Sequence, residues 1–341
     1  YQNFPRRMKI TLVSRSFNKN SGQGIYKMCG YLFDSLKIYS NFEIKKIESK
    51  DRNYFYFDLI KSIYKVLRSD SSVYHFLMPE VSLSLLISDK IRRRSVATIH
   101  DTIVYKIKER KTLSEKYIKF MYNVAKRARF IHTPSLQSKN DIVEFLKVEE
   151  EKIVTIQWGI DLDFFKPLRK RRDGTFVCGY LGGLGKRKNV EWILYLARYF
   201  KDFKFKIAGS GPQLEKLKII KKTLDLENVE LIGFVPEDKL PEFYNSLDIL
   251  IFPSLYEGFG IPLLEAMACE VPYVIGTSAG IGNVLPIYKI NSFEELREII
   301  AKIKNNELKP LKSLRKWIAK NKFTWKDSVN KLIKLYEEVM K

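Results

Sequence analysis

The residues best suited to chemistry in this chain lie in one stretch: Phe252-Pro253-Ser254-Leu255-Tyr256-Glu257-Gly258-Phe259-Gly260-Ile261-Pro262-Leu263-Leu264-Glu265-Ala266-Met267-Ala268. Glu257 and Glu265 offer two carboxylates that can accept hydrogen bonds from the hydroxyls of a ligand. Gly258 and Gly260 lie between them and have no Cβ, so the backbone can turn sharply and bring its N–H groups close to that ligand. Pro262 suits the first turn of a helix, where its missing N–H costs nothing. A loop that feeds a helix N-terminus presents open N–H donors and a partial positive charge, which favours phosphate. The spacing by itself is equally compatible with a tight strand-to-helix turn carrying two solvated glutamates.

Two further stretches have the same strand, glycine turn and helix order. Lys9 to Ser14 runs into Ser21-Gly22-Gln23-Gly24 and an amphipathic segment from Ile25 to Ser40. Phe176 to Leu181 runs into Gly182-Gly183-Leu184-Gly185-Lys186-Arg187-Lys188-Asn189 and a helix from Val190 to Phe200. Each reads as a phosphate-binding opening or as a plain solvated turn. The second also carries cations, and Lys188 beside a helix N-terminus suits the charge of a leaving diphosphate. His100-Asp101 closes the buried strand Ser95 to Ile99, at the edge where open α/β sheets bind ligands. There a histidine either donates to a phosphate or sugar hydroxyl or caps the strand end. Cys29, Cys178 and Cys269 are scattered, and His75, His100 and His132 are the only histidines. No metal-ligand spacing arises, so buried thiols in a cytosolic chain and no metal site are expected.

The elements that must position these residues come in two runs of alternating strands and helices, which predicts an α/β fold of two domains. The length of 341 residues accommodates both. The link is placed at Phe165 to Gly174, a Lys- and Arg-rich segment with Pro167. The division is then 1–165, 166–324 and a terminal helix 325–341. Helices are expected from Val81 to Ile91, over 113–130, from Ser138 as N-cap, and from Lys309 to Lys320. Tyr1 to Arg7 do not continue the strand pattern.

The formal charge is +22, and residues 1–165 hold 30 Lys and Arg against 18 acids. The surplus is spread over both halves. It points to a nucleotide diphosphate, an anionic membrane surface or nucleic acid, or to a lysine-rich surface serving solubility. The segment 113–130 is basic and amphipathic, and reads either as a core-facing helix or as one that adsorbs to anionic lipid. No recognition helix or stacking motif supports nucleic acid, so none is expected as a partner. No apolar run approaches the roughly 20 residues of a membrane span, and no charged start leads into an apolar core. A cytoplasmic location, or a peripheral one on the cytoplasmic membrane face, is expected.

The whole string from Pro253 to Ala268 resembles the signature of retaining glycosyltransferases of family 4, with Glu-Gly-Phe-Gly and a second Glu after seven intervening residues. The resemblance extends over most of residues 8–341 and includes Gly159-Ile160-Asp161, where Trp158 replaces the family's Asn. It implies a GT-B fold, two Rossmann-like domains facing a cleft, and transfer of a hexose from a UDP- or GDP-sugar. The acceptor implied is a saccharide or lipid-linked glycan; no cofactor or metal is needed. It implies that Glu257 and the N–H groups of Gly258, Phe259, Gly260 and Ile261 hold the donor sugar, and that Glu265 holds the ribose. It places Gly22 and Gly24 over the diphosphate, His100 near the donor, Val235 at the nucleobase and Lys188 at the phosphates. Relatives have an Arg where this chain has Gly183, so Lys186 or Arg187 would have to substitute. A nucleotide-sugar epimerase of the same architecture is the alternative activity.

Overall fold

A computed structural model describes residues 8–21, 24–49, 55–106, 113–168 and 174–341. The chain divides into two compact units, one of Tyr1–Gly159 with Trp325–Lys341 and one of Ile160–Thr324.

Unit 1 carries β1 (Lys9–Ser14), β2 (Glu43–Glu48), β3 (Val73–Phe76), β4 (Ser95–Thr98), β5 (Phe130–Thr133) and β6 (Ile153–Thr155). They form one parallel sheet in the order β2-β1-β3-β4-β5-β6. Its helices are α1 (Gly24–Tyr39), α2 (Phe55–Arg68), α3 (Asp89–Arg93), α4 (Ile103–Lys106), α5 (Leu113–Ala125) and α6 (Leu136–Leu146). Unit 2 carries β7 (Val177–Leu181), β8 (Lys204–Ala208), β9 (Val229–Gly233), β10 (Ile249–Phe252), β11 (Tyr273–Gly276) and β12 (Tyr288–Lys289), in the parallel order β12-β11-β10-β7-β8-β9. Its helices are α7 (Glu191–Tyr199), α8 (Leu214–Thr223), α9 (Leu240–Asn245), α10 (Ile261–Ala268), α11 (Phe293–Lys304) and α12 (Leu314–Lys320). The last helix, α13 (Trp325–Met340), returns to unit 1. There Trp325 stacks on Tyr31 of α1, ring centroids 5.9 Å apart. Among the described residues no helix is long and apolar enough to cross a membrane.

The central strands are buried throughout because helices cover both faces. Val73 to Phe76, Ile249 to Phe252 and Tyr273 to Gly276 are buried at every position. Each sheet reverses its direction of growth once: between β1 and β3 in unit 1, and between β7 and β10 in unit 2. At such a point neighbouring crossovers leave on opposite faces and open a crevice at the carboxyl ends of the strands. The turn after β7 and the loop after β10 both lie at the unit 2 crevice.

Several boundaries differ from the sequence expectation. The expected helix from Val81 to Ile91 is two tight turns, Pro79–Val81 and Leu83–Leu86, followed by the short α3. Serines divert the backbone there: Ser82 Oγ donates to Pro79 O at 2.6 Å, and Ser88 caps α3. Helix α5 ends at Ala125, well before 130. The cap of α6 is Ser135, whose Oγ accepts from Ser138 N, so Ser138 is its capping partner. Helix α12 begins at Leu314, five residues after Lys309. The crossing between units falls at Gly159/Ile160, ahead of the basic link at Phe165 to Gly174. The intervening turn belongs to unit 2 because Arg315 donates to Leu162 O at 2.8 Å and Phe165 O at 2.6 Å, and Ile160 pairs with Thr324.

Candidate active site

In unit 2 the turn after β7 ends in one helical turn, Lys186–Lys188, closed by Asn189 in the left-handed conformation at φ 56°. The loop after β10 is fastened to it, since Leu255 N donates to Arg187 O at 2.8 Å. This brings three charged side chains together. Arg187 Nη1 donates to Tyr256 O at 2.6 Å and to Glu257 Oε1 at 3.1 Å. Lys188 Nζ donates to the same Glu257 oxygen and sits 5.1 Å from the centre of the Phe252 ring. Glu257 is buried. Burial alone would raise its pKa, but Lys188 and then Arg187 outweigh that and hold the carboxyl below its ordinary value. A carboxylate with two cations, poised at the crevice of a doubly wound sheet, can orient hydroxyls while the cations take phosphate.

Backbone packing holds this arrangement. Gly280 has φ +62°, and a Cβ there would come within 2.2 Å of Phe259 O. The loop after β11 therefore lies directly on the Glu257 loop, with Ile281 N donating to Phe259 O at 2.8 Å. Thr277 Oγ1 adds a 2.5 Å bond to Ser254 O. Gly260, at φ +105°, delivers the chain into α10. On that helix Glu265 is buried, and Tyr244 donates its hydroxyl to Glu265 Oε2 at 2.7 Å. Burial and then the Glu265 charge push the Tyr244 hydroxyl well above its usual pKa, so it remains a donor.

In unit 1 His100 follows β4, half-buried, with its ring stacked on Trp158 at 5.7 Å between centroids. Its Nε2 lies 2.9 Å from Leu77 O. A carbonyl only accepts, so the proton is on Nε2 and Nδ1 is the bare nitrogen. Burial lowers the pKa of His100 against the raising effect of Leu77 O and Asp101, which keeps the ring neutral. The other two histidines form a buried chain that no sequence pattern indicated. His132 Nε2 donates to Ile156 O at 2.8 Å, so its Nδ1 accepts from Thr98 Oγ1 at 2.9 Å. Thr98 Oγ1 then accepts from His75 Nε2 at 2.8 Å, and His75 Nδ1 accepts from Tyr336 of α13 at 2.7 Å.

Comparison with known proteins adds the family. Residues 163–324 match the model of glycosyl transferases group 1, and residues 6–164 match glycosyltransferase family 4. The chain belongs to the group 1, family 4 glycosyltransferases. It is 26% identical over 278 residues to an uncharacterized glycosyltransferase of Methanocaldococcus jannaschii, spanning 78% of this chain and 74% of that one. It is 22% identical over 270 residues to O-antigen chain mannosyltransferase B of Escherichia coli, spanning 72% and 70%. In fold it is similar to sucrose-phosphate synthase from Thermosynechococcus elongatus, with TM-score 0.79, 16% identity and coverage of 98% and 99%. It is also similar to Anabaena HepE, solved with UDP-glucose, with TM-score 0.76, 17% identity and coverage of 97% and 100%. The two-unit α/β architecture is that of the GT-B glycosyltransferases.

The glycosyltransferase places its expected site residues as follows. Glu257, Lys188 and Arg187 meet, and Gly258, Phe259, Gly260 and Ile261 form the loop into α10. Of the two cations considered in place of the family's Arg at Gly183, Arg187 reaches Glu257, whereas Lys186 is exposed, as is Gly183. Val235 is half-buried in the loop after β9. Gly24 opens α1 and is exposed; Gly22 lies outside the described residues. The sequence reading missed Tyr244, Thr277 and Ser254, because a hydroxyl partner many residues away leaves no periodic trace. Among the described residues no group of three or more His, Cys, Asp or Glu is arranged to hold a metal.

Proposed function

We propose that the enzyme transfers a hexose from a UDP- or GDP-hexose to a glycan or lipid-linked glycan, with retention at the anomeric carbon. The observation that carries this reading is the Arg187–Lys188–Glu257 cluster at the crevice between β7 and β10. With no donor bound, the buried carboxylate and the cations satisfy one another. A bound diphosphate takes over the cations and leaves Glu257 to accept from sugar hydroxyls, so the charges stay compensated throughout. The HepE structure with UDP-glucose and the mannosyltransferase relative support a hexosyl donor.

Transfer breaks the bond from the anomeric carbon to the β-phosphate oxygen and forms one to the acceptor oxygen on the same face. The acceptor's proton passes to the departing phosphate. Lys188 and Arg187 stabilise the charge growing on that phosphate. Glu265 holds the ribose and Val235 borders the base. The donor set of the site serves this chemistry without a metal ion.

A screen of UDP- and GDP-hexoses for nucleotide release tests the reading, with product analysis to separate transfer from isomerisation. Nucleotide release with one donor class and a product of retained configuration is expected; donor isomerisation without release would establish an epimerase instead. Glu265→Ala is expected to raise the donor KM strongly, and unchanged donor affinity by calorimetry would remove Glu265 from the ribose site.

A further inference from the structure

Trp158 stands where the family has Asn, at the end of unit 1, and is only 2% exposed. The backbone just ahead of it is held twice: Ile156 O accepts from His132 Nε2 at 2.8 Å, and Gln157 O accepts from Ser328 Oγ of α13 at 2.8 Å. Three rings enclose the indole. His132 meets it edge-on at 4.9 Å between centroids, Trp325 of α13 is tilted against it at 5.9 Å, and His100 stacks on it at 5.7 Å with the planes 29° apart. Ring pairs at such separations attract, and a close-packed interior leaves the indole no room to turn. Trp158 is therefore walled off from any ligand, whereas His100 is half-buried and within reach of one. The His100 residue is held at three points. Its Nε2 donates to Leu77 O at 2.9 Å, one face of the ring lies on Trp158, and its backbone carbonyl accepts from Ser138 Oγ at 3.0 Å. Leu77 is itself tied to β1, with its N–H donating to Val13 O at 2.9 Å.

We propose that Trp158 is a positioning residue: its indole holds the His100 ring in the Nε2–H form, so that Nδ1 is kept bare at the carboxyl edge of the unit 1 sheet as an acceptor for a substrate hydroxyl. Two properties of the indole suit this task. Its flat face shields the imidazole from water, which could otherwise bond either nitrogen and let the ring turn over. Its one polar group is a donor, so it does not compete with Leu77 O for the Nε2 proton. The Asn of the family carries both a donor and an acceptor and could bond either ring nitrogen. A protonated ring would also be attracted to the indole face, but it would have no bare nitrogen. Burial outweighs Leu77 O and Asp101 and keeps the ring neutral. That Nδ1 meets substrate rests on the transferase reading; that Trp158 sets the tautomer does not.

The test is imidazole nitrogen NMR of the full chain labelled in histidine, with the signals assigned through His75→Gln, His100→Gln and His132→Gln. The wild type is expected to show His100 as the Nε2–H tautomer at neutral pH, titrating below the ordinary 6.5. In Trp158→Leu, which keeps an apolar side chain but no ring, the two tautomers are expected to mix and the titration to move up toward about 6.5. Trp158→Phe keeps a stacking face and is expected to restore the wild-type signals. Trp158→Leu is also expected to lower transfer about tenfold through the misplaced ring, and to add no further loss in a His100→Ala background. A wild-type His100 that is charged at neutral pH, or protonated on Nδ1 alone, overturns the proposal whether or not the variants fold. So does a Trp158→Leu spectrum like that of the wild type, or a loss of transfer that is the same with and without His100. Unchanged transfer by His100→Ala overturns the substrate contact. Absence of nucleotide release from every donor overturns the transferase reading, and the tautomer of His100 then still decides the role of Trp158.

Discussion

Unit 2 buries its polar site residues as ions, with two cations on one oxygen of Glu257. Unit 1 buries a chain that is neutral from end to end, in which each group donates to the next, from Tyr336 through His75, Thr98 and His132 to Ile156 O. The two solutions serve different ends. Ions that compensate one another can exchange partners with a charged ligand, so the unit 2 cluster can open to a diphosphate. A directional chain with fixed tautomers has no spare partner to exchange, and it serves to hold α13 on the sheet of unit 1.

The contrast breaks most sharply at Lys188. Lys188→Ala leaves Glu257 buried with one cation, and is expected to lower nucleotide release about 100-fold or more. It should also cost about 3 kcal/mol in urea unfolding, as loss of one partner of a buried pair does. Unchanged turnover would take Lys188 out of the chemistry.

Acid separates the two units by pH window. Burial lowers the pKa of His132 to about 4 and that of His75 well below the ordinary 6.5. The folded state therefore binds fewer protons than the unfolded chain in this range, and stability rises with pH. The contribution of these rings is complete above about pH 6.5 and is lost as the pH falls toward 4, on the order of 3 kcal/mol for His132 alone. Glu257, whose folded pKa is lowered, contributes above its unfolded value of about 4.5 and loses that only below it. Glu80 in unit 1, with its pKa raised by burial, acts in the opposite sense. Hydrogen exchange at pH 5 is expected to show unit 1 loosening before unit 2; simultaneous loosening would contradict the contrast.

Smaller changes sharpen it. Tyr336→Phe removes the donor to His75 Nδ1 and is expected to cost about 1–2 kcal/mol, with donor KM unaltered. Arg187→Lys should weaken donor affinity several-fold by losing the paired Nη1 contacts to Tyr256 O and Glu257, roughly 1 kcal/mol. Lys186→Ala should change donor affinity by under about 0.5 kcal/mol. The reverse order would assign the cation in place of Gly183 to Lys186.

The fold was legible because parallel strands covered on both sides read as continuous apolar runs, such as Ile249 to Phe252, and because each glycine turn sits where a strand meets a helix. The Glu257 loop was legible for a related reason: glycines, proline and carboxylates must fall close together in the chain to build it. Less legible was Val81 to Ile91, where serines compete for the backbone within an apolar pattern. The compact units divide at Gly159/Ile160, ahead of the basic run, because Arg315, some 150 residues away, binds the carbonyls of Leu162 and Phe165 and draws that turn into unit 2; the family models divide the chain at 163–164, beside the basic run.

By itself, then, the sequence determined the α/β class, the two-unit plan, the family and the loop-to-helix stretch that carries Glu257 and Glu265, all properties of residues adjacent in the chain. Only the tertiary structure decided which cation meets Glu257, which nitrogen of His100 is bare, that the other two histidines lock α13 in place, and that Trp158 stacks on His100. Each of these depends on the direction of a side chain toward a distant partner. Helical and strand periodicities specify a face but not the group that will meet it.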